Sequence, residues 1–188
     1  MEKKKYFFSL GLIFIVGALD AYCFKLHDGM FASMQTGNII KVAIKLSNQD
    51  YDGIGKYFLT MFAFAIGILV AFFISKIKRQ EIICVGSALA LYVAGILLTP
   101  VSIPVSNLIM AFGVGLQLQA IREINGFPVA TTMCTGNLRS LCECIGKRVK
   151  TKDKKYSLGI LIYSTLILSF SVGVLVGALI INAVNAVA

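Results

Sequence analysis

Residues 156–181 read YSLGILIYSTLILSFSVGVLVGALII, without an Asp, Glu, Lys or Arg. A helix needs about 20 apolar residues to cross the hydrocarbon core of a bilayer, so this stretch predicts a membrane span. Four further runs have the same character: Tyr6–Phe24, Tyr57–Ile74, Ile82–Leu98 and Val101–Ala120. The last two are separated by TPVSIP, whose prolines suit a tight connection between helices. Two shorter, more polar stretches, Phe31–Leu46 and Ala130–Ile145, each contain TGN.

Composition agrees. The 188 residues are 57% hydrophobic and 14% charged, with mean hydropathy +0.83. Soluble domains average about 45–50% apolar and about 25% charged residues, and a soluble core cannot hide this much apolar surface. The net charge of +9 is carried largely by the tracts Lys3–Lys5, Lys76–Arg79 and Lys147–Lys155. Basic tracts between spans read as cytoplasmic loops, so a nucleic-acid partner is not expected. The start, MEKKKYFFSLGLIFIVGALDA, has the order of a signal peptide, but its apolar run is long for that role. We read it as the first span. Cys23, Cys84, Cys134, Cys142 and Cys144 form no CxxC pair, and His27 is the one histidine. Neither a disulfide framework nor a metal site is expected, and no cofactor.

The chain repeats itself. MQTGNI at 34–39 matches MCTGNL at 133–138, a shift that also carries Lys56-Tyr57 onto Lys155-Tyr156 and Asp20 onto Gln119. Each half, approximately 1–80 and 100–188, reads as helix, short TGN segment, helix, with 82–98 as a linking helix in a single 1–188 transmembrane domain. If both TGN segments crossed the bilayer, Lys76–Arg79 would fall outside, against the charge rule. If each enters and returns on one side, all three basic tracts are cytoplasmic and the halves are inverted. The expected fold is an all-α polytopic bundle of five to seven membrane segments, with a broken or re-entrant helix in each half.

Such segments offer chemistry. Gly37 and Gly136 lack a Cβ, so the backbone can bend or approach closely. Thr36, Asn38, Thr135 and Asn137 are short donors and acceptors, and Ser33, Thr131 and Thr132 stand where helix N-caps are useful. A helix starting inside the membrane exposes unpaired N–H groups and a partial positive charge. The alternative role of TGN is packing, because small residues let membrane helices approach. Asp20 lies within the first apolar helix, where an acid is a functional candidate by default. Its structural alternatives are an ion pair with Lys25 or His27, or an acid reaching the outer interface. Arg139 and Glu143 are spaced to pair on one helix face, half-buried near the cytoplasmic side. Ala63, Gly67 and Ala71, Gly86, Ala90 and Ala94, and Ser169, Gly173 and Gly177 are small residues four apart, spaced for close helix contact. No HExxH, GxSxG or GxxxxGK[ST] is present, and an enzyme is not expected.

GALDAYCF at 17–24, GMFASMQTGNII at 29–40 and GLQLQAIREINGFPVATTMCTGNLRSL at 115–141 are similar to the YoaK family of bacterial membrane proteins, catalogued as domain of unknown function 1275. The likeness covers nearly the whole chain in order and spacing. It implies a multi-pass membrane protein and names neither substrate nor catalytic residue.

The expectation is a multi-pass protein of the bacterial plasma (inner) membrane with its N-terminus cytoplasmic. It passes an unidentified small solute or ion through a polar site formed by Thr36, Gly37, Asn38, Thr135, Gly136 and Asn137, with Asp20 and Gln119 nearby. Its partners are the lipid bilayer and that solute, with a homo-oligomer allowed by the small-residue faces. The rival is a membrane-embedded scaffold or partner-binding subunit that transports nothing.

Overall fold

The computed structural model describes residues 3–187. Met1 and Glu2 of the basic start, and Ala188 at the end of the second half, lie outside the described residues. The helices are α1 (Lys3–Leu26), α2 (Gln35–Ser47), α3 (Ile54–Phe73), α4 (Gln80–Leu98), α5 (Ile103–Ala120), α6 (Thr135–Thr151) and α7 (Lys155–Val187). A short 3-10 turn at Ile74–Lys76 extends α3. Five segments are long and apolar enough to cross a membrane: Lys3–Leu26, Ile54–Lys76, Gln80–Leu98, Ile103–Ala120 and Lys155–Val184. They coincide with the five apolar runs of the sequence. Pro104 falls in the first turn of α5, where its missing N–H breaks no helical bond.

The fold is all-α as expected, and a small two-stranded hairpin lies between α5 and α6. β1 (Glu123–Ile124) pairs antiparallel with β2 (Phe127–Pro128). Asn125 (φ 52) and Gly126 (φ 77) take the two left-handed positions that this tight turn needs. Asp28 (φ 52) and Gly29 (φ 72) place two consecutive left-handed residues just after α1.

The chain packs as two compact units, Met1–Ala18 with Ile121–Ala188, and Leu19–Ala120. They differ from the halves defined by the repeat, because the first helix of each half packs with the last helix of the other. In the first unit, α1 and α7 run parallel. Tyr6 Oη donates to Thr165 Oγ1 (2.9 Å), and Ser169 Oγ donates to the Leu10 carbonyl (2.8 Å). Further along, Gly173 meets the Phe14 carbonyl and Gly177 meets Ala18. A Cβ on Gly17 would collide with the Phe170 carbonyl.

In the second unit, α3 and α5 also run parallel. Asn107 and Thr60 meet near their starts. Further along, a Cβ on Gly67 would collide with the Phe112 carbonyl, and one on Gly115 with the Phe64 carbonyl. The two parallel crossings are therefore built alike: glycines on both helices, each against the partner's backbone. Such closeness lets dispersion substitute for the hydrophobic drive that lipid does not supply. α4 lies antiparallel to α5: Gly113 meets Ala88 and Tyr92, and later along α4 Gly95 packs on Met110 and Ser106, earlier in α5.

Candidate functional site

The loop between α1 and α2 folds back along α1. The buried carboxylate of Asp20 accepts the Ser33 N–H (3.0 Å) and the Ser33 hydroxyl. Asp20 stands roughly 9 Å before Leu26, the end of α1, at about 1.5 Å of rise per residue. Asp28, two residues past that end, instead meets Lys56 at the start of α3 (2.7 Å). The loop thus descends beside α1, and α2 starts near the depth of Asp20. Asp20 is satisfied by Ser33, and the ion pair with Lys25 or His27 weighed from sequence is not what holds it.

Each TGN segment opens a helix and uses its asparagine on the loop before it. Asn38 Oδ1 accepts the Phe31 N–H (3.1 Å), while Nδ2 donates to the Phe31 carbonyl (2.9 Å) and to Gln35 Oε1 (3.0 Å). Asn137 Oδ1 accepts the Ala130 N–H (3.1 Å), while Nδ2 donates to the carbonyls of Ala130 (2.8 Å) and Met133 (3.0 Å). The reach of seven residues back to both backbone groups is the same in each half. A side-chain amide presents a donor and an acceptor side by side, so it pairs an extended residue as a neighbouring strand would. Both amides are buried, and both donate to the loop: Asn137 through its two contacts, and Asn38 through one, with its other contact at Gln35 on the first residue of α2.

The remaining TGN residues differ between halves. Thr36, Thr135 and Gly136 are exposed, and Gly37 is half-buried against the Phe31 ring. A Cβ on Gly136 would meet nothing. α2 and α6 belong to different compact units. The N-caps expected at Ser33, Thr131 and Thr132 are corrected: Met34 and Cys134 hold those positions, and neither caps with its side chain. The Ser33 hydroxyl is taken by Asp20. Thr132, its counterpart in the repeat, is buried and its hydroxyl has no hydrogen-bond partner among the described residues. Gln119, the repeat counterpart of Asp20, is half-buried near the end of α5, whereas Gln117 is fully buried and accepts from Tyr92 Oη (3.0 Å). Arg139 and Glu143 do pair (3.0 Å), on an exposed face rather than a half-buried one.

A second polar cluster was not singled out from sequence. His27 is fully buried just past α1. Its Nδ1 lies 3.3 Å from Asn107 Oδ1, and its Nε2 lies 3.2 Å from Thr99 Oγ1. Asn107 Nδ2 donates to Thr60 Oγ1 (2.8 Å), which leaves Oδ1 as acceptor and places a proton on His27 Nδ1. Tyr22 Oη donates to Thr99 Oγ1 (2.9 Å), and Ser106 Oγ donates to the Gly95 carbonyl (2.7 Å). Four helix ends thereby meet around one imidazole. Ser106 and Asn107, early in an apolar helix, were the sequence signal for it. Burial lowers the His27 pKa from its ordinary value, against an opposing pull from Asn107 and Asp28.

A family profile described as "Protein of unknown function (DUF1275)" matches residues 8–188. No curated protein and no solved structure matches the chain.

Proposed function

The chain belongs to the DUF1275 family of proteins of unknown function, and from this premise we propose that it is a transporter or channel-like protein for a small solute or ion. One observation carries the reading: the same loop clamp, at Asn38 and at Asn137, opens a short helix in each half. Paired interrupted helices in repeated halves are the usual architecture of substrate sites in secondary transporters. The glycine crossings of α1 with α7 and of α3 with α5 support the same duplication. In this reading the halves are inverted copies, α2 and α6 are re-entrant, and the N-terminus and all three basic tracts face the cytoplasm of a bacterial cell.

Asp20 is the ion-handling group of the pathway. It is an acid inside a membrane span, held by a serine that can turn away when a cation or proton arrives. In the second unit the helix start at Thr36-Gly37 shapes the polar surface beside Asp20 and Asn38 fixes the loop; in the first unit Thr135-Gly136 and Asn137 repeat that arrangement. Gln119 and Thr132, whose hydroxyl has no hydrogen-bond partner among the described residues, stand at the repeat positions of Asp20 and Ser33. The chain needs no cofactor and performs no enzymatic reaction.

The scaffold reading has one observation of its own. Gly86, Ser87 and Ala90 are exposed on α4, and Ser87 and Ala90 help line an apolar groove of about 380 Å³. A partner helix, including one from a second copy, fits such a face. Uptake by proteoliposomes separates the readings. The intact chain is expected to take up at least one member of a panel of cations, anions and small neutral solutes, and Asp20→Asn to lose roughly tenfold or more in rate. No uptake by the intact chain would favour the scaffold. Equal uptake by both proteins would remove Asp20 from the pathway.

A further inference from the structure

Asp28, Lys41, Ile44, Lys45, Lys56 and Tyr57 line a cavity of about 400 Å³ between the end of α1, the outer half of α2 and the start of α3. Three ammonium groups face it against one lining carboxylate. Lys56 pairs with Asp28 (2.7 Å), and Lys45 pairs with Asp50. Lys41 is different. Its Nζ donates to the Gly29 carbonyl and lies over the rings of Phe24 (4.9 Å) and Phe31 (5.2 Å), and it pairs with no acid among the described residues.

Burial, and the Lys56 charge beside it, lower the Lys41 pKa from its ordinary value. The attraction of an anion in the cavity would oppose both effects. Ile44, exposed on α2, adds an apolar wall to the cavity. In the re-entrant reading the C-terminal half of α2, which carries Lys41 and Lys45, comes out at the level of the lipid headgroups.

We propose that this cavity is a binding site for a phosphate-bearing anion, gripped by Lys41, Lys45 and Lys56. A phosphate offers several separate acceptor oxygens and up to two negative charges to ammonium groups converging from two helices. Its source is a phospholipid headgroup or a soluble phosphate. The site is separate from Asp20 and the TGN segments, and its test does not read transport.

The full chain is reconstituted in nanodiscs of phosphatidylcholine, with or without phosphatidylglycerol. Lipid retention is read by native mass spectrometry, and inorganic phosphate binding by calorimetry in the zwitterionic discs. Selective retention of phosphatidylglycerol identifies the lipid source, and saturable phosphate binding identifies the soluble one. In either case Lys41→Gln and Lys45→Gln are expected to weaken binding roughly tenfold, about the worth of one charge-assisted contact. Lys41→Arg is expected to keep it, and Lys78→Gln, in a basic tract outside the cavity, to leave it unchanged. If Lys41→Gln fails to fold, Lys45→Gln decides. Binding of neither probe by the intact chain, or intact-level binding by Lys45→Gln and every folded Lys41 variant, overturns the proposal.

Discussion

Two side chains illustrate how much a single buried polar group fixes here. Asn38→Ala would leave the N–H and carbonyl of half-buried Phe31 without their partner, and Asn137→Ala would do the same to half-buried Ala130. Each unsatisfied buried group costs about 1–3 kcal/mol, so each variant should lose about 2 kcal/mol or more. Denaturant titration in micelles measures this, and a loss under about 0.5 kcal/mol would mean the clamp is dispensable. His27 makes a prediction about pH. Its pKa is lower folded than unfolded, so at intermediate pH the unfolded chain binds the extra proton. Its contribution to stability is therefore constant above about pH 7, and stability falls as pH drops through the unfolded value of about 6.5 toward the folded one. Melting temperatures at pH 8 and pH 5.5 should differ less for His27→Gln than for the intact chain. An equal difference would assign the acid sensitivity to other groups.

At the scale of elements, the glycines sort by what they meet. Gly67 and Gly173 each face a partner helix's carbonyl, so an added methyl must push two backbones apart. Gly67→Ala and Gly173→Ala should each destabilise by about 1–3 kcal/mol. Gly86 has open space around it, and Gly86→Ala should be neutral or stabilising by up to about 1 kcal/mol through helix propensity. Thermal melts of the three variants test the contrast, and equal losses would refute it. These faces were legible in sequence, because small residues four apart announce close packing whatever the partner. The partners were not legible. Nothing in the run around Gly173 says that it meets α1 rather than its repeat neighbour α6. The five spans followed from hydropathy alone. The hairpin had a signal in Asn125-Gly126, but strands of two residues are too short to show alternation. The TGN motif was visible as a repeat, while the role of its asparagine depends on the backbone seven residues earlier and not on its neighbours in the triplet.

For the whole molecule, charge and crossing number make the inverted-halves reading testable. Five spans with the N-terminus inside put the connection from α1 to α3, which contains Asp50, on the outer face. The same count returns Lys78 and Lys152 to the cytoplasmic face, where their basic tracts belong. Single cysteines replacing Asp50, Lys78 or Lys152, in a background without the five native cysteines, give the readout. Asp50 and Lys152 are exposed ends of the α2 and α6 regions, so labelling there reports side rather than burial. A membrane-impermeant maleimide added to intact cells should label Asp50→Cys at once, and Lys78→Cys and Lys152→Cys only after permeabilisation. Full crossing by α2 and α6 would instead move Lys78 to the outer face and leave Lys152 inside, because two added crossings cancel. Labelling of Lys78→Cys in intact cells would therefore end the re-entrant reading. Labelling of Asp50→Cys and Lys152→Cys from one side would end the inversion with it, since the two short helices would then approach from the same face.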